Sequence, residues 1–125
     1  MAYFAKIFAG IVEQVVSVSD DDVADFVSKC PDSPPYVYKQ ASYRTYHGVH
    51  FGDDGNPDGG TAVRGNFPGP TFVYDEVNDV FYPPSPFPSW KLDKTIWDWV
   101  APTPMPTDGA RYNWDESSLS WKAVT

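Results

Sequence analysis

Residues 72–81 read FVYDEVNDVF, residues 90–99 read WKLDKTIWDW, and residues 112–121 read YNWDESSLSW. Each copy begins and ends with an aromatic residue and carries Asp in fourth place, followed by a charged residue. Alternating residues that lead into a polar turn and return to an aromatic residue are typical of a β-hairpin with its rings on one face. Because the phrase recurs, the sequence predicts one small hairpin unit used three times.

Two proline-rich segments separate the hairpin phrases, YPPSPFPS at residues 82–89 and VAPTPMPTDG at residues 100–109. Proline holds the backbone extended and lacks an N–H donor, so neither segment can pair as a central strand. We therefore expect both segments to be semi-rigid spacers that set the distance between the hairpins.

The first thirty residues predict a hairpin followed by a short helix. Tyr3–Val18 contains the strands YFAKIF and IVEQVVSV, joined at Ala9 and Gly10, where glycine permits a tight turn. Ser19 and the three aspartates after it form a helix-start signal, since carboxylates favour the positive end of a helix dipole. An apolar stripe at helical spacing follows, and a proline ends it: Val23, Phe26, Val27 and Cys30, then Pro31.

The middle of the chain is less regular. Four tyrosines between residues 36 and 46 do not keep one strand phase, which predicts a bulge or bend near Gln40–Ser42. Gly48–Pro70 holds seven glycines and three prolines and predicts a long loop that orders on docking. The predicted fold is mainly β with one short helix. We expect one continuous domain with two regions, an N-terminal region at 1–70 and a triplicated hairpin region at 71–125.

Composition narrows the classes of function. Aromatic residues make up 17% of the 125 residues, but there are only two leucines, a balance that favours strands over helices. The formal net charge of −8 opposes binding to a phosphate backbone or an anionic bilayer, so we expect neither nucleic acid nor membrane as a partner. The single cysteine, Cys30, excludes an internal disulfide and cysteine-rich zinc sites. No membrane-length apolar run or signal peptide is evident, which indicates synthesis in a cytoplasm.

Two segments invite comparison with metal sites. The DGNPDG run that contains Asp54–Asp58 matches the opening of a calcium-binding loop, although the twelfth position is Gly65 where a bidentate Glu is needed. The same residue types are typical of ordinary turns. His47 and His50 stand three residues apart, a spacing that serves one metal only on a helix. We therefore expect no metal and no other cofactor, and calcium binding by Asp54–Asp58 is left open.

Groups suited to catalysis are sparse. There is no G-x-S-x-G motif, and Cys30 falls on the apolar stripe, where it acts as a small hydrophobe. Two carboxylate pairs, Asp75 with Asp79 and Asp93 with Asp98, fall in predicted hairpin turns rather than in the apolar cleft that a glycosidase acid needs. We therefore expect no enzymatic activity and no catalytic residue.

The five tryptophans all lie between Trp90 and Trp121. Exposed indole rings commonly anchor protein interfaces or stack on sugars, whereas these rings are also the main material for a hairpin core. Trp97 breaks the alternation of its strand and is predicted to be an exposed ring. The predicted interface residues are Trp97, Trp99, Tyr112 and Trp114.

Several longer phrases are distinctive: FAKI near the start, HGVHF, RGNFPGPTFVYDEVNDVFYPPSPFPSW, and PMPTDGARYNWDESSLSWK. In these phrases the chain resembles a family of small structural proteins of marine tailed bacteriophages, especially those of cyanobacteria, over most of its length. The resemblance implies association with the virion after synthesis in the host cytoplasm, and it supplies no catalytic residues. The expected function is capsid (head) decoration on the major capsid protein. The alternatives are attachment to tail or tail-fibre proteins, or a carbohydrate-binding module for a host surface glycan.

Overall fold

The computed structural model describes residues 1–29 and 35–124, and it is mainly β with one short helix, which confirms the predicted fold class. A 3₁₀ turn at Asp20–Asp22 leads directly into the helix. In chain order the elements are β1 (Ala2–Phe8), β2 (Ile11–Val18), α1 (Val23–Lys29), β3 (Tyr36–Ala41), β4 (Thr45–Tyr46), β5 (Val49–His50), β6 (Val73–Asp75), β7 (Val80–Tyr82), β8 (Lys91–Asp93), β9 (Asp98–Val100), β10 (Tyr112–Asp115) and β11 (Ser120–Ala123).

The predicted N-terminal hairpin is confirmed as β1 and β2. Ala9 and Gly10 join the strands with φ angles of 50° and 80°, so both central residues take the left-handed conformation that matches the twist of a two-residue hairpin. The antiparallel register is regular except for a shift between Lys6 and Ile7. This hairpin is the longest paired element and organises the sheet around it.

Five strands form an antiparallel sheet in the order β3-β1-β2-β6-β7. One of its faces is apolar in sequence and buries the core, and Ala5 and Phe81 are both completely enclosed. Burying a side chain the size of Phe81 contributes about 2–3 kcal/mol. The core cluster consists of Ala5, Ile7, Val12, Ala41, Tyr74 and Phe81.

The two outer strands of the sheet both bind residues 64–66. The Arg64 carbonyl accepts a 2.9 Å hydrogen bond from the Phe81 N–H on β7, and the Asn66 side-chain amide donates to the Phe81 carbonyl at 2.9 Å. Arg64 Nη1 donates to the Gln40 carbonyl on β3, also at 2.9 Å. Exposed strand edges are sites for unwanted pairing, and this segment binds one position on each of the two outer strands.

The helix begins where the sequence predicts, but its start is built differently. The Ser19 hydroxyl donates to the Asp22 carboxylate at 2.8 Å and makes no bond to the helix backbone. The acidic side chain of Asp22 competes for the hydroxyl, so the expected cap is replaced by a side-chain pair. Phe26 packs its ring on Phe4, with centroids 4.6 Å apart, and fastens the helix to the sheet. Cys30, predicted as the last residue of the apolar stripe, and Pro31, predicted to end the helix, lie outside the described residues.

The three repeated phrases form three hairpins with the same four-residue turn, at residues 76–79, 94–97 and 116–119. The last turn residue is left-handed in each: φ is 54° at Asp79, 53° at Trp97 and 51° at Leu119. Asp tolerates this region well, whereas Trp and Leu rarely adopt it. The shared conformation shows that the repeat in sequence is also a repeat in backbone geometry.

The chain forms two compact units: Met1–Pro84 with Lys94–Asp98, and Ser85–Asp93 with Trp99–Thr125. The hairpin β6–β7 belongs to the first unit because Val73 on β6 pairs with Ile11 on β2. A local pattern does not reveal which strand a hairpin joins.

The segment Gly48–Pro70 is more structured than its composition predicts. It contains β5 and a bridge between Phe51 and Pro57, and the Gly48 N–H donates to the Gly65 carbonyl at 2.7 Å. The bend predicted near Gln40–Ser42 is the end of β3 at residue 41, after which the chain turns into the small β4–β5 hairpin. Long-range bonds thus hold the loop in place, and the expectation that it orders only on docking is not met.

Replacing Gly65 by alanine is expected to destabilise the first unit by about 2–3 kcal/mol, because two costs add. Gly65 has φ of +77°, and a Cβ there lies 2.9 Å from Trp97 Cδ1. Gly59→Ala is the matched control in the same unit, since φ is +75° but the space around it is open. Hydrogen exchange of strand amides measures both variants. Equal destabilisation would show that contact with the Trp97 ring is irrelevant.

Candidate interaction surface

Three tryptophans of the second unit form one cluster. Trp114 on β10 lies directly opposite Trp121 on β11, with ring centroids 5.2 Å apart and planes inclined at 71°. Trp90 packs against both, at 5.9 Å from Trp114 and 6.0 Å from Trp121. Such edge-to-face pairs add about 1 kcal/mol each beyond burial, so the rings hold the unit together. We call Trp90, Trp114 and Trp121 the indole cluster.

Glu116 fastens the indole cluster to the spacer before it. One carboxylate oxygen accepts from Trp114 Nε1 at 2.8 Å and from the Ser89 hydroxyl at 2.8 Å, and the other accepts from the Ser89 N–H at 2.9 Å. These donors, led by the Trp114 indole, hold the pKa of Glu116 below its usual value. Trp90 Nε1, by contrast, is enclosed and has no acceptor in the part of the chain that the structure describes.

The same cross-strand ring pair is buried in the first unit and only partly buried in the second. In the hairpin β6–β7 the pair is Tyr74 and Phe81, which are 9% and 0% exposed. In β10–β11 it is Trp114 and Trp121, and both remain partly accessible. Across the described residues of the second unit, none is fully buried. The second unit therefore pairs its aromatic rings as the core of the first unit does, but it has no core that is shielded from water.

The four predicted interface residues fall in both compact units. Trp97 belongs to the first unit and is partly buried rather than exposed, because its ring packs on Gly65 and lies parallel to Tyr82 at 6.4 Å. Trp99 is also partly buried. Tyr112 is partly buried, and its hydroxyl donates to Asp108 at 2.7 Å. Of the four, Trp114 is the one that lies in the indole cluster.

Sequence reasoning missed Trp90 and Trp121 as members of this surface. The signal was present in the repeat, since Trp121 occupies the last aromatic position of its phrase and Trp90 the first of its own. Opposite positions across a short hairpin turn bring Trp121 to Trp114. Trp90 stands in another phrase and reaches both rings through a long-range contact that no hairpin position predicts. The repeat itself was therefore a better guide to the surface than the break in alternation at Trp97.

The two histidines face different carboxylates. His47 Nε2 lies 2.7 Å from Asp98 Oδ2, and its ring stacks on Tyr46 with centroids 3.8 Å apart. His50 Nδ1 lies 2.7 Å from Asp58 Oδ1. Among residues 1–29 and 35–124, no group of three or more His, Cys, Asp or Glu is placed to hold a metal ion.

The Asp54–Asp58 segment is built as a hydrogen-bonded turn. Asp54 Oδ1 accepts the Asn56 N–H at 3.0 Å, and this bond lowers the pKa of the Asp54 carboxyl. Asp58 Oδ1 accepts the Gly60 N–H at 2.9 Å, and the His50 hydrogen bond, followed by this one, lowers the pKa of Asp58. Both carboxylates thus serve the turn itself, in line with its turn-forming composition.

One polar cluster of the first unit is partly buried against the core. The Tyr74 hydroxyl donates to Asp79 Oδ1 at 2.5 Å, and Arg64 Nε donates to the same oxygen at 2.9 Å. Burial, and then the bond to Asp79, raises the pKa of Tyr74 to about 12. Burial raises the pKa of Asp79 too, but the bonds from Tyr74 and Arg64 outweigh it and leave that pKa below its usual value. The cluster closes the turn of β6–β7.

The wild-type protein is expected to lose stability at alkaline pH as Tyr74 ionises, and the Tyr74→Phe variant should not show this loss. The folded-state pKa of Tyr74 is about 12 against an ordinary 10.0, so the protonated phenol stabilises the fold below pH 10. That contribution, roughly 2–3 kcal/mol, is lost as pH rises from about 10 to about 12. Urea unfolding followed by circular dichroism across this range measures it, with the exposed Tyr43→Phe as control. An unchanged alkaline loss in Tyr74→Phe would contradict the assignment.

A cleft of about 210 Å³ lies beside β1 and β3 of the first unit, lined among others by Ile7, Val37, Lys39, Tyr74 and Glu76. Sites for metabolites usually enclose at least about 300 Å³ with several convergent polar groups. This cleft is smaller than such sites.

No protein-family model, no curated protein and no solved structure matches this chain. In the described part of the chain, no helix is both long enough and apolar enough to cross a bilayer. The geometry of the two units and the sequence motifs are therefore the basis for assigning a function.

Proposed function

We propose that this protein is a non-enzymatic structural protein of a tailed-phage virion, and that it decorates the head by binding the major capsid protein. Its second unit is the docking element, and the indole cluster is the centre of the contact. The resemblance to structural proteins of marine phages supports the virion as its location. Trp97, Trp99 and Tyr112 lie outside the indole cluster, and an interface role for them remains part of the prediction from sequence.

One observation carries the docking role: a ring pair that is buried in the core of the first unit is only partly buried in the second. Partly exposed apolar residues continue beyond the indole cluster in the same unit, at Val100, Met105, Leu119 and Val124. An isolated two-stranded hairpin is marginally stable in water, so burying these surfaces against a neighbour stabilises the unit. Tryptophan in such a setting is the residue type most enriched among interface hot spots.

The net charge of the whole chain favours one kind of partner surface. The chain carries a formal net charge of −8, and like-charged surfaces are repelled over distances of about 10 Å at moderate salt. A lattice that presents apolar pockets with a basic rim therefore fits the chain as a whole better than an acidic lattice does. Binding to particles should weaken as salt is raised.

Quantitative mass spectrometry of purified particles tests the location. Hundreds of copies per particle support the capsid lattice, since a decoration protein follows the symmetry of the shell. A handful of copies supports the tail or fibre instead and overturns head decoration. Absence from washed particles overturns the virion role altogether.

Carbohydrate binding is the second candidate function, because partly accessible indole faces also stack on sugar rings. Host surface polysaccharide added to the isolated protein would then change Trp fluorescence, with saturation. The virion-lattice proposal expects no such response and instead expects co-sedimentation with particles. A saturable glycan response in the wild-type protein, lost in Trp114→Ala, would favour carbohydrate binding.

A further inference from the structure

We infer that the far half of β2 accepts an extended, basic segment of another protein as an additional strand. The region concerned is residues 13–18, reading EQVVSV, which we call the open edge. It belongs to the first unit, whereas the indole cluster belongs to the second, and the inference stands whether or not the virion role is correct.

β2 has a neighbour on both sides only at its beginning. On one side it pairs with β1 along its whole length, from Phe8↔Ile11 to Ala2↔Val18. On the other side it pairs with β6 through Ile11↔Val73, and the Val12 backbone exchanges bonds of 2.8 and 2.9 Å with Phe72 and Thr71. Beyond Val12, no backbone group on that side has a partner in the described part of the chain.

The two outer strands of this sheet are each bound at one position. β3 is bound at Gln40 by Arg64, and β7 at Phe81 by Arg64 and Asn66. The open edge has no such contact in the described part of the chain, and Gln14 and Ser17 on it are exposed. Five to six residues of regular strand extend about 17–20 Å, which is the usual length of one added strand.

The sequence of the open edge favours strand addition. Val15, Val16 and Val18 are β-branched, and the stretch contains neither proline nor glycine. Proteins usually protect exposed edges with charged residues, proline or bulges within the strand. The one register shift between β1 and β2 lies opposite Val12–Gln14, so the backbone from Gln14 onward is regular.

Charge at the two ends of the open edge selects a basic partner. Glu13 stands at one end and Asp20–Asp22 at the other, and all four side chains are exposed. Lys6 lies 4.0 Å from Glu13, and the N-terminal amine lies 2.7 Å from Asp20, so this negative charge is only partly balanced. A second copy of the chain would bring the same carboxylates and another net charge of −8, which disfavours self-pairing.

Three short synthetic peptides test the inference on the full chain: Lys-Thr-Val-Thr-Val-Lys, the same peptide N-methylated at alternate residues, and Glu-Thr-Val-Thr-Val-Glu. NMR titration and amide hydrogen exchange give affinity and location. We expect the basic peptide to protect amides within Gln14–Val18 and to bind at least about tenfold more tightly than the acidic one. The N-methylated peptide keeps the side chains but loses backbone donors, so it should not bind.

The double variant Glu13→Gln with Asp21→Asn should weaken the basic peptide about fivefold while leaving strand exchange rates unchanged. Lack of protection of Gln14–Val18 at millimolar basic peptide would overturn the proposal, as would equal binding of the N-methylated peptide. Protection of the same amides by concentration-dependent dimerisation, without peptide, would identify a second copy as the occupant and also overturn it.

Discussion

Replacing Asn66 by aspartate is expected to destabilise the first unit by about 3–5 kcal/mol. The Asn66 amide donates at 2.9 Å to the carbonyls of both Phe81 and Trp97, and its oxygen accepts the His47 N–H at 2.8 Å. The side chain is only 3% exposed and joins three separate segments. Aspartate has the same shape but no donor, so two carbonyls lose their partner and face a negative charge.

Amide hydrogen exchange of β6 and β7 measures this effect, because their slowest amides report opening of the first unit. Asn113→Asp makes the same chemical change on the exposed face of β10 and should cost less than about 0.5 kcal/mol. The new carboxyl at position 66 has its folded-state pKa raised by burial, so the destabilisation should shrink at acidic pH and grow towards neutral pH. Exchange rates equal to those of Asn113→Asp would refute the bridging role.

Removing the Trp121 ring is expected to weaken docking onto the particle about 100-fold, since hot-spot tryptophans contribute roughly 2–4 kcal/mol. In the free protein Trp121 packs on Trp90 and Trp114, and its Nε1 donates to the Thr103 carbonyl at 2.7 Å. Trp121→Ala therefore removes the accessible part of this indole ring and also one of the three rings that form the cluster. Co-sedimentation with particles that lack the protein, over a range of concentrations, gives the affinity.

Two further variants separate lost contact from lost folding. Trp121→Phe keeps an aromatic ring opposite Trp114 and should preserve the hairpin while weakening docking by a smaller factor. Val77→Ala removes an apolar group that is 94% exposed in the turn of the β6–β7 hairpin, and it should leave docking unchanged. Near-ultraviolet circular dichroism verifies the cluster in each variant. Normal docking by a folded Trp121→Ala protein would rule out the indole cluster as the contact.

Much of the local structure could be predicted because its causes lie within a few residues. The turn at Ala9 and Gly10, the strands beside it and the three aromatic hairpins all follow from alternation and turn chemistry. The helix start at Ser19 was placed correctly, but the Ser19 hydroxyl binds the Asp22 carboxylate rather than the backbone. That outcome depends on a competition between side chains, which a pattern of residue types does not resolve.

The candidate surface could be predicted only in part. Trp114 was expected at an interface and does lie in the indole cluster, whereas Trp97 was expected to be exposed and instead packs on Gly65. The contact with Gly65 joins residues 32 positions apart, and Asn66 likewise binds across 31 positions to the Trp97 carbonyl. Glycine and asparagine in a glycine-rich segment look like turn residues, so neither position carries a local sign of its packing role.

By itself the sequence determined the class of fold, the three hairpins with their common turn, and the acidic, ring-rich character of the surface. Only the tertiary structure decided that Tyr74 and Phe81 are core while Trp114 and Trp121 remain partly accessible, and that β2 keeps an open edge. The physical reason is range: turn chemistry and alternation act over about ten residues. Burial depends on which distant strand a hairpin meets, and β6 meets β2 across more than fifty residues of chain.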